Sequence, residues 1–181
     1  MKKDWTTVEL LSHSRHDWLN KVQLIKGNLS LHKYDRVNEI IQDIVIEAQN
    51  EARLSQLHTP QFAALLLTCN WNNFSFQVDY EVLEASTDNQ FTINDMIASN
   101  WTSSFFECLQ QTVQEFADNH LSITIERQQS STCFFFDFRG IIKNRIELET
   151  FFASKETLIE VIVHEISEKE FSLQVLVPYE K

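Results

Sequence analysis

Two glycines in 181 residues, Gly27 and Gly140, set the tightest limit on this chain. Loops that cradle phosphate need glycine, because their backbone must approach the phosphate oxygens closely and enter the φ > 0 region. A P-loop, a dinucleotide fingerprint, a kinase glycine loop and a GHKL-type ATP lid each need at least two glycines close together. Here the two are far apart, so no nucleotide-binding loop can be written. The chain is nonetheless 43% apolar, with fourteen Phe and four Trp. That is enough to bury a core in one domain or two small ones.

The first third reads as two helices. From about Thr7 to Leu31 there is no proline and one glycine. Leu11, Arg15, Trp18, Val22, Ile25 and Leu29 recur at alternating steps of four and three, a coiled-coil-like seam. Thr6 or Thr7 can cap this helix. After a short connection at His32, Lys33 and Tyr34, Asp35 can cap a second helix reaching about Leu57. Its inner side would carry Val37, Ile40, Ile41, Ile44, Val45 and Ala48. A short connection between two long amphipathic helices makes an antiparallel hairpin. One hairpin cannot cover its own apolar stripe, so a homodimer through residues of about 7 to 57 is expected, closing a four-helix bundle.

Thr59-Pro60 breaks the helical pattern. The remainder predicts a strand over 74–78, a helix over about 94–118, and strands over 121–126 and 133–138. A short helix over 142–152 follows, then a hairpin of strands over 157–166 and 171–177. The expected fold class is α plus α/β: domain 1–58 is a helical hairpin dimerising into a four-helix bundle, and domain 59–181 is α+β with an antiparallel or mixed sheet.

The chemistry concentrates in Leu11-Ser12-His13-Ser14-Arg15-His16-Asp17-Trp18-Leu19-Asn20-Lys21. At about 100° per residue, His16 projects roughly 140° from the seam, and His13, Asn20 and Gln23 share that outward half. Leu24 also lies off the seam, as an exposed apolar residue beside a polar face. Imidazole suits phosphoryl transfer because much of it is uncharged and nucleophilic near neutral pH. Such transfer asks mainly for positioning and charge neutralisation. Arg15 could neutralise charge, Asp17 could orient the ring, and Asn20 could steady a phosphoryl oxygen. Spacing alone leaves two other readings open. A surface His followed by Asp is common and usually carries no function. His13, His16 and Asp17 could also be half of a metal site. His32, His58, His120 and His164 are scattered and read as loop, strand or surface residues.

The formal net charge is −11, with no basic run, which argues against nucleic acid and anionic lipid as partners. Cys69, Cys108 and Cys133 form no metal-binding spacing and sit in apolar runs, as buried reduced thiols do. No stretch approaches the length of a membrane span, and the N-terminus leads into no apolar signal core. The expectation is a cytoplasmic protein, with too little chain before the histidine motif for a sensor domain.

The run from His13 to Lys21, continued by Gln23-Leu24-Ile25-Lys26-Gly27-Asn28-Leu29-Ser30-Leu31 and Lys33-Tyr34-Asp35-Arg36-Val37, closely resembles the sporulation initiation phosphotransferase B family of Bacillus-type bacteria. The shorter His-Asp-x-x-Asn core is similar to the phosphoacceptor helix of citrate- and fumarate-sensing histidine kinases. Residues 38 to about 83 resemble the family more loosely, and beyond them only the overall pattern does.

The resemblance implies that His16 is the phosphoacceptor and that the hairpins dimerise. It also implies that the C-terminal domain resembles a degenerate histidine-kinase ATPase domain without an ATP site. The phosphoryl group would come from the aspartate of a single-domain response regulator and pass to the receiver domain of the sporulation transcription factor. Mg²⁺ would belong to those receivers, and this chain would bind no cofactor. Arg15, Asp17 and Asn20 would assist His16, while Ser12, His13, Gln23 and Leu24 would meet the partner. Asn94, Asn100 and Asn119 stand near the place of a kinase N-box, but no Asp-x-Gly-x-Gly follows. In related kinases the acidic residue after the His acts as a base, a role that Asp17 loses without ATP. Two alternatives remain: an ATP-dependent histidine kinase, and a non-catalytic dimeric adaptor that binds response regulators.

Overall fold

The computed structural model describes residues 5–83, 92–154 and 158–180. They divide into two compact units, Met1–Ala52 and Arg53–Lys181. No helix among the described residues is long and apolar enough to cross a membrane.

The first unit is built on α1 (Thr7–Ser30) and most of α2 (Tyr34–Ser55). Thr6 starts α1 with a full capping box: its hydroxyl accepts from the Glu9 N–H, and the Glu9 carboxylate accepts from the Thr6 N–H at 2.9 Å. The helix ends in a Schellman arrangement. His32 takes φ 56°, its N–H donates to Leu29 O, and the Lys33 N–H donates to Asn28 O. Asp35, expected to cap α2, instead lies inside its first turn, because the helix begins at Tyr34. The Lys21 ammonium pairs with the Glu47 carboxylate, tying α1 to α2. Val37 and Ile40 are buried, yet no residue of α1 is. Along the expected seam Leu11, Trp18, Val22 and Leu29 stay between 44% and 62% exposed.

The second unit carries α3 (Pro60–Cys69), β1 (Gln77–Val82), α4 (Asp95–Thr112), β2 (His120–Arg127), β3 (Ser131–Arg139), α5 (Arg145–Ala153), β4 (Glu160–Ile166) and β5 (Glu170–Pro178). The sheet is mixed, in the order β1-β2-β3-β5-β4. β1 runs parallel to β2 and the other pairs are antiparallel. Leu121, Ile123 and Ile125 of β2 and Phe171, Leu173, Val175 and Val177 of β5 alternate into the core. They join Trp101, Phe105 and Phe106 of α4 and Leu148 and Phe152 of α5 in one cluster.

Four expectations need correction. Thr59-Pro60 does not merely end a helix; it opens α3, with Pro60 in the first turn, where its missing N–H is harmless. The next two N–H groups, of Gln61 and Phe62, donate to the Asp95 carboxylate at 2.8 and 2.9 Å. Asp95→Ala is therefore expected to lower unfolding stability by about 1–2 kcal/mol, read by urea denaturation. The strand expected at 74–78 sits at Gln77–Val82 instead, preceded by the stacked rings of Phe74 and Phe76. The α4 helix stops at Thr112 rather than near 118. Val113 bridges to Ile142, and Phe116 turns to φ 61° and full exposure. That same bridge removes Ile142 from the expected short helix, which starts at Arg145. Thr157, expected to begin the fourth strand, lies outside the described residues.

Asn119 organises this corner of the unit. Its amide donates to Ser75 O and Gln114 O, and its Oδ1 accepts from the Ile141 N–H. Gly140 lies against it: a Cβ there would stand 2.3 Å from Asn119 Oδ1 and 2.8 Å from the Phe138 ring. Gly140→Ala must displace a fully hydrogen-bonded buried residue, with an expected loss of about 2–3 kcal/mol in the same denaturation measurement. Asn94, the other end of the supposed N-box, caps α4 by accepting from the Ile97 N–H. Asn100 is exposed on α4.

Candidate active site

His16 stands in the middle of α1, its side chain 73% exposed. Ser12, Arg15, Asn20 and Gln23 are exposed around it, and Leu24 is 57% exposed. Arg15 has no ion-pair partner among the described residues. His13 departs from its helical projection. It is half-buried, with its ring edge-on to Trp5 and the centroids 4.8 Å apart.

Two groups address one nitrogen of His16. The Asn20 amide nitrogen, Nδ2, lies 3.2 Å from Nδ1, one turn along the helix. The Asp17 carboxylate lies 3.6 Å from the same atom. Nε2 has no partner among the described residues. The Asp17 carboxylate beside Nδ1 favours a proton on that nitrogen. A ring protonated at Nδ1 keeps its lone pair on Nε2, so the outward nitrogen becomes the nucleophile. As placed, Asn20 pulls the other way: its Nδ2 can only donate, to a bare Nδ1, and a half-turn of the carboxamide is needed before its oxygen can accept a proton from that nitrogen. Asn20 therefore contacts the ring itself in this structure.

Other nucleophiles are poorly placed to compete. Burial pushes the Cys69 thiol up to about 12 and the Cys108 thiol up to about 11, and it raises Cys133 as well. Such thiols hold their protons at neutral pH. Cys69 and Cys133 are buried and Cys108 is half-buried. Among the described residues no group of three or more His, Cys, Asp or Glu is arranged to hold a metal. His32 and His58 occupy positive-φ turns, His120 pairs with Asp79 at 2.7 Å, and His164 lies near the Phe135 ring.

Comparison with known proteins covers nearly the whole chain. Residues 1–57 match the family described as "Sensor kinase SpoOB-type, alpha-helical domain". Residues 58–178 match "Sporulation initiation phospho-transferase B, C-terminal". The sporulation initiation phosphotransferase B of Bacillus subtilis (strain 168) is 34% identical over 170 residues, spanning 93% of this chain and 88% of that protein. Two solved structures that align with it are far more distant. The Acinetobacter baumannii histidine kinase AdeS aligns at a TM-score of 0.43 and 8% identity, covering 92% of this chain and 98% of that one. A bacterial phosphotransferase aligns at a TM-score of 0.40 and 10% identity, covering 96% and 98%. Both halves of the chain, matched separately and then together in one full-length relative, place it in the sporulation initiation phosphotransferase B family.

Proposed function

We propose that His16 carries a phosphoryl group between the aspartates of two response-regulator receiver domains. The observation that supports this most directly is the His16 ring, exposed on a helix, with Nδ1 addressed by Asn20 and Asp17 and Nε2 unpartnered. In the forward step the Nε2 lone pair attacks the phosphorus of an aspartyl phosphate. The N–P bond forms, the P–O bond breaks, and the donor carboxylate leaves with the bonding electrons. The second step runs the same chemistry in reverse: an acceptor carboxylate attacks, and the imidazole leaves. Asp17 favours the tautomer with the Nε2 lone pair outward, and Asn20 supports it once its carboxamide turns its oxygen to the Nδ1 proton. Arg15 offers charge to the equatorial oxygens.

The partners are a single-domain receiver as donor and the receiver of a sporulation transcription factor as acceptor. They meet this chain through Ser12, Gln23 and Leu24, with His13 behind them. Mg²⁺ is supplied by the receivers, and this chain needs no nucleotide. The exposed seam of α1 joins that of a second copy, giving a homodimer with a four-helix bundle over residues 1–58.

The test is to mix the full chain with a receiver domain phosphorylated by acetyl phosphate and to locate the label by mass spectrometry. An acid-labile phosphate on His16 is expected. Label from ATP and Mg²⁺ alone would instead favour a kinase, and receiver binding without label would favour an adaptor.

A further inference from the structure

The two glycines of this chain answer to different demands. Gly140 is forced by packing, since a Cβ there would collide with Asn119. Gly27 is not: a Cβ there meets no atom within 4 Å. Neither glycine has a positive φ, so Gly27 is not needed for a left-handed turn. It is exposed in the interior of α1, where glycine is among the least favourable residues. Nothing among the described residues accounts for the missing side chain.

Its position relates it to His16. Eleven residues are three helical turns, so Gly27 projects within about 20° of His16 and lies about 16 Å along the axis. Gln23 falls between them, and the exposed Leu24 flanks the line. A standard protein interface of about 800 Å² per partner, drawn as a disc, has a radius of about 16 Å. A partner centred on His16 therefore reaches Gly27. The apolar seam lies on the other side of α1, so a second copy of this chain does not need the space.

We propose that Gly27 determines how closely a partner bearing an aspartyl phosphate can approach. That partner rests a rigid element on the bare backbone at Gly27, and the contact sets the distance between its phosphorus and the His16 ring. The inference rests on His16 being the phosphoacceptor. A side chain at Gly27 lifts the partner off the helix, and a misplacement of about 1 Å can lower a transfer rate a hundredfold.

The experiment compares the full-length protein with Gly27→Ala and Gly27→Leu. Three quantities are read: the Tm, the initial rate of transfer from a receiver phosphorylated by acetyl phosphate, and His16 labelling by phosphoramidate. The last donor is small and needs no docked protein. Expected for Gly27→Ala is a Tm higher by about 2–4 °C with transfer slower by about tenfold. Gly27→Leu is expected to slow transfer by about a hundredfold. A purely structural glycine would not separate these signs. Transfer at the wild-type rate in both variants overturns the inference, as does a parallel fall in transfer and phosphoramidate labelling. Wild-type protein that accepts from phosphoramidate at His16 but from no receiver also overturns it. Wild-type protein labelled by neither donor overturns the phosphoacceptor reading itself.

Discussion

His16→Ala is expected to abolish acid-labile phosphate on this protein after incubation with a phosphorylated receiver, a loss of at least about a thousandfold in transfer rate. The magnitude follows from the chemistry: the variant lacks the nucleophile, and no thiol or second imidazole stands in its place. His13 is the nearest alternative, but it is half-buried with its ring edge-on to Trp5. The fold should be indifferent to the change. The His16 side chain is 73% exposed, and its bond to Asn20 is made at the surface. Unfolding free energy is expected to stay within about 0.5 kcal/mol of wild type. The two readouts together separate a chemical role from a structural one. Transfer lost with stability intact is the expected pair. Persistent label on another histidine would move the site elsewhere, and label dependent on ATP would mean that the protein itself holds a nucleotide.

The helical hairpin was legible because its determinants are local. A four-three period broken only by Arg15 and a Thr6 cap, which the structure completes as a capping box with Glu9, both lie within a few residues of the elements they define. The helix α3 was not legible, because the groups that satisfy its first N–H donors sit far along the chain, on Asp95. Thr59, the residue beside it in sequence, makes no side-chain cap at all. The overrun of α4 has a similar origin. Val113 and Phe116 continue the helical period, yet the Val113 backbone pairs with Ile142, a partner that periodicity cannot see. At the site, helical projection placed His16, Asn20, Gln23 and Leu24 on one exposed face without coordinates. It could not show which ring nitrogen Asn20 and Asp17 address, since that depends on rotamers. It also misplaced His13, whose contact with Trp5 lies across the start of α1. Gly27 is unfavourable in a helix by propensity alone, and only the open space around it among the described residues sets it apart.

Placing a glutamate in the α1 seam, as Val22→Glu, is expected to convert the protein from dimer to monomer at micromolar concentration. In the single chain α1 has no buried residue, although Leu11, Trp18, Val22 and Leu29 line up along it. A helix of this length gains little from propensity alone and needs an apolar face buried against something. The second helix is half served: Val37 and Ile40 are buried, while Ile41 and Val45 remain 43% and 48% exposed. A second copy is self-complementary to this surface by two-fold symmetry, and the same symmetry counts every substitution twice. Each Val22 buried at the interface contributes about 1.5–3 kcal/mol, and an unpaired carboxylate in its place adds a desolvation penalty. Doubled across the axis, a loss of about 4–6 kcal/mol raises the dissociation constant by about a thousandfold or more. Sedimentation equilibrium should show it directly, and helical circular dichroism should fall as α1 loses its support. Gln23→Glu, one residue along and turned about 100° onto the outward half of α1, should leave the dimer intact. If Val22→Glu stayed dimeric while Gln23→Glu dissociated, the two faces of α1 would have to exchange roles. His16 would then lie buried between copies, out of reach of any protein carrying an aspartyl phosphate.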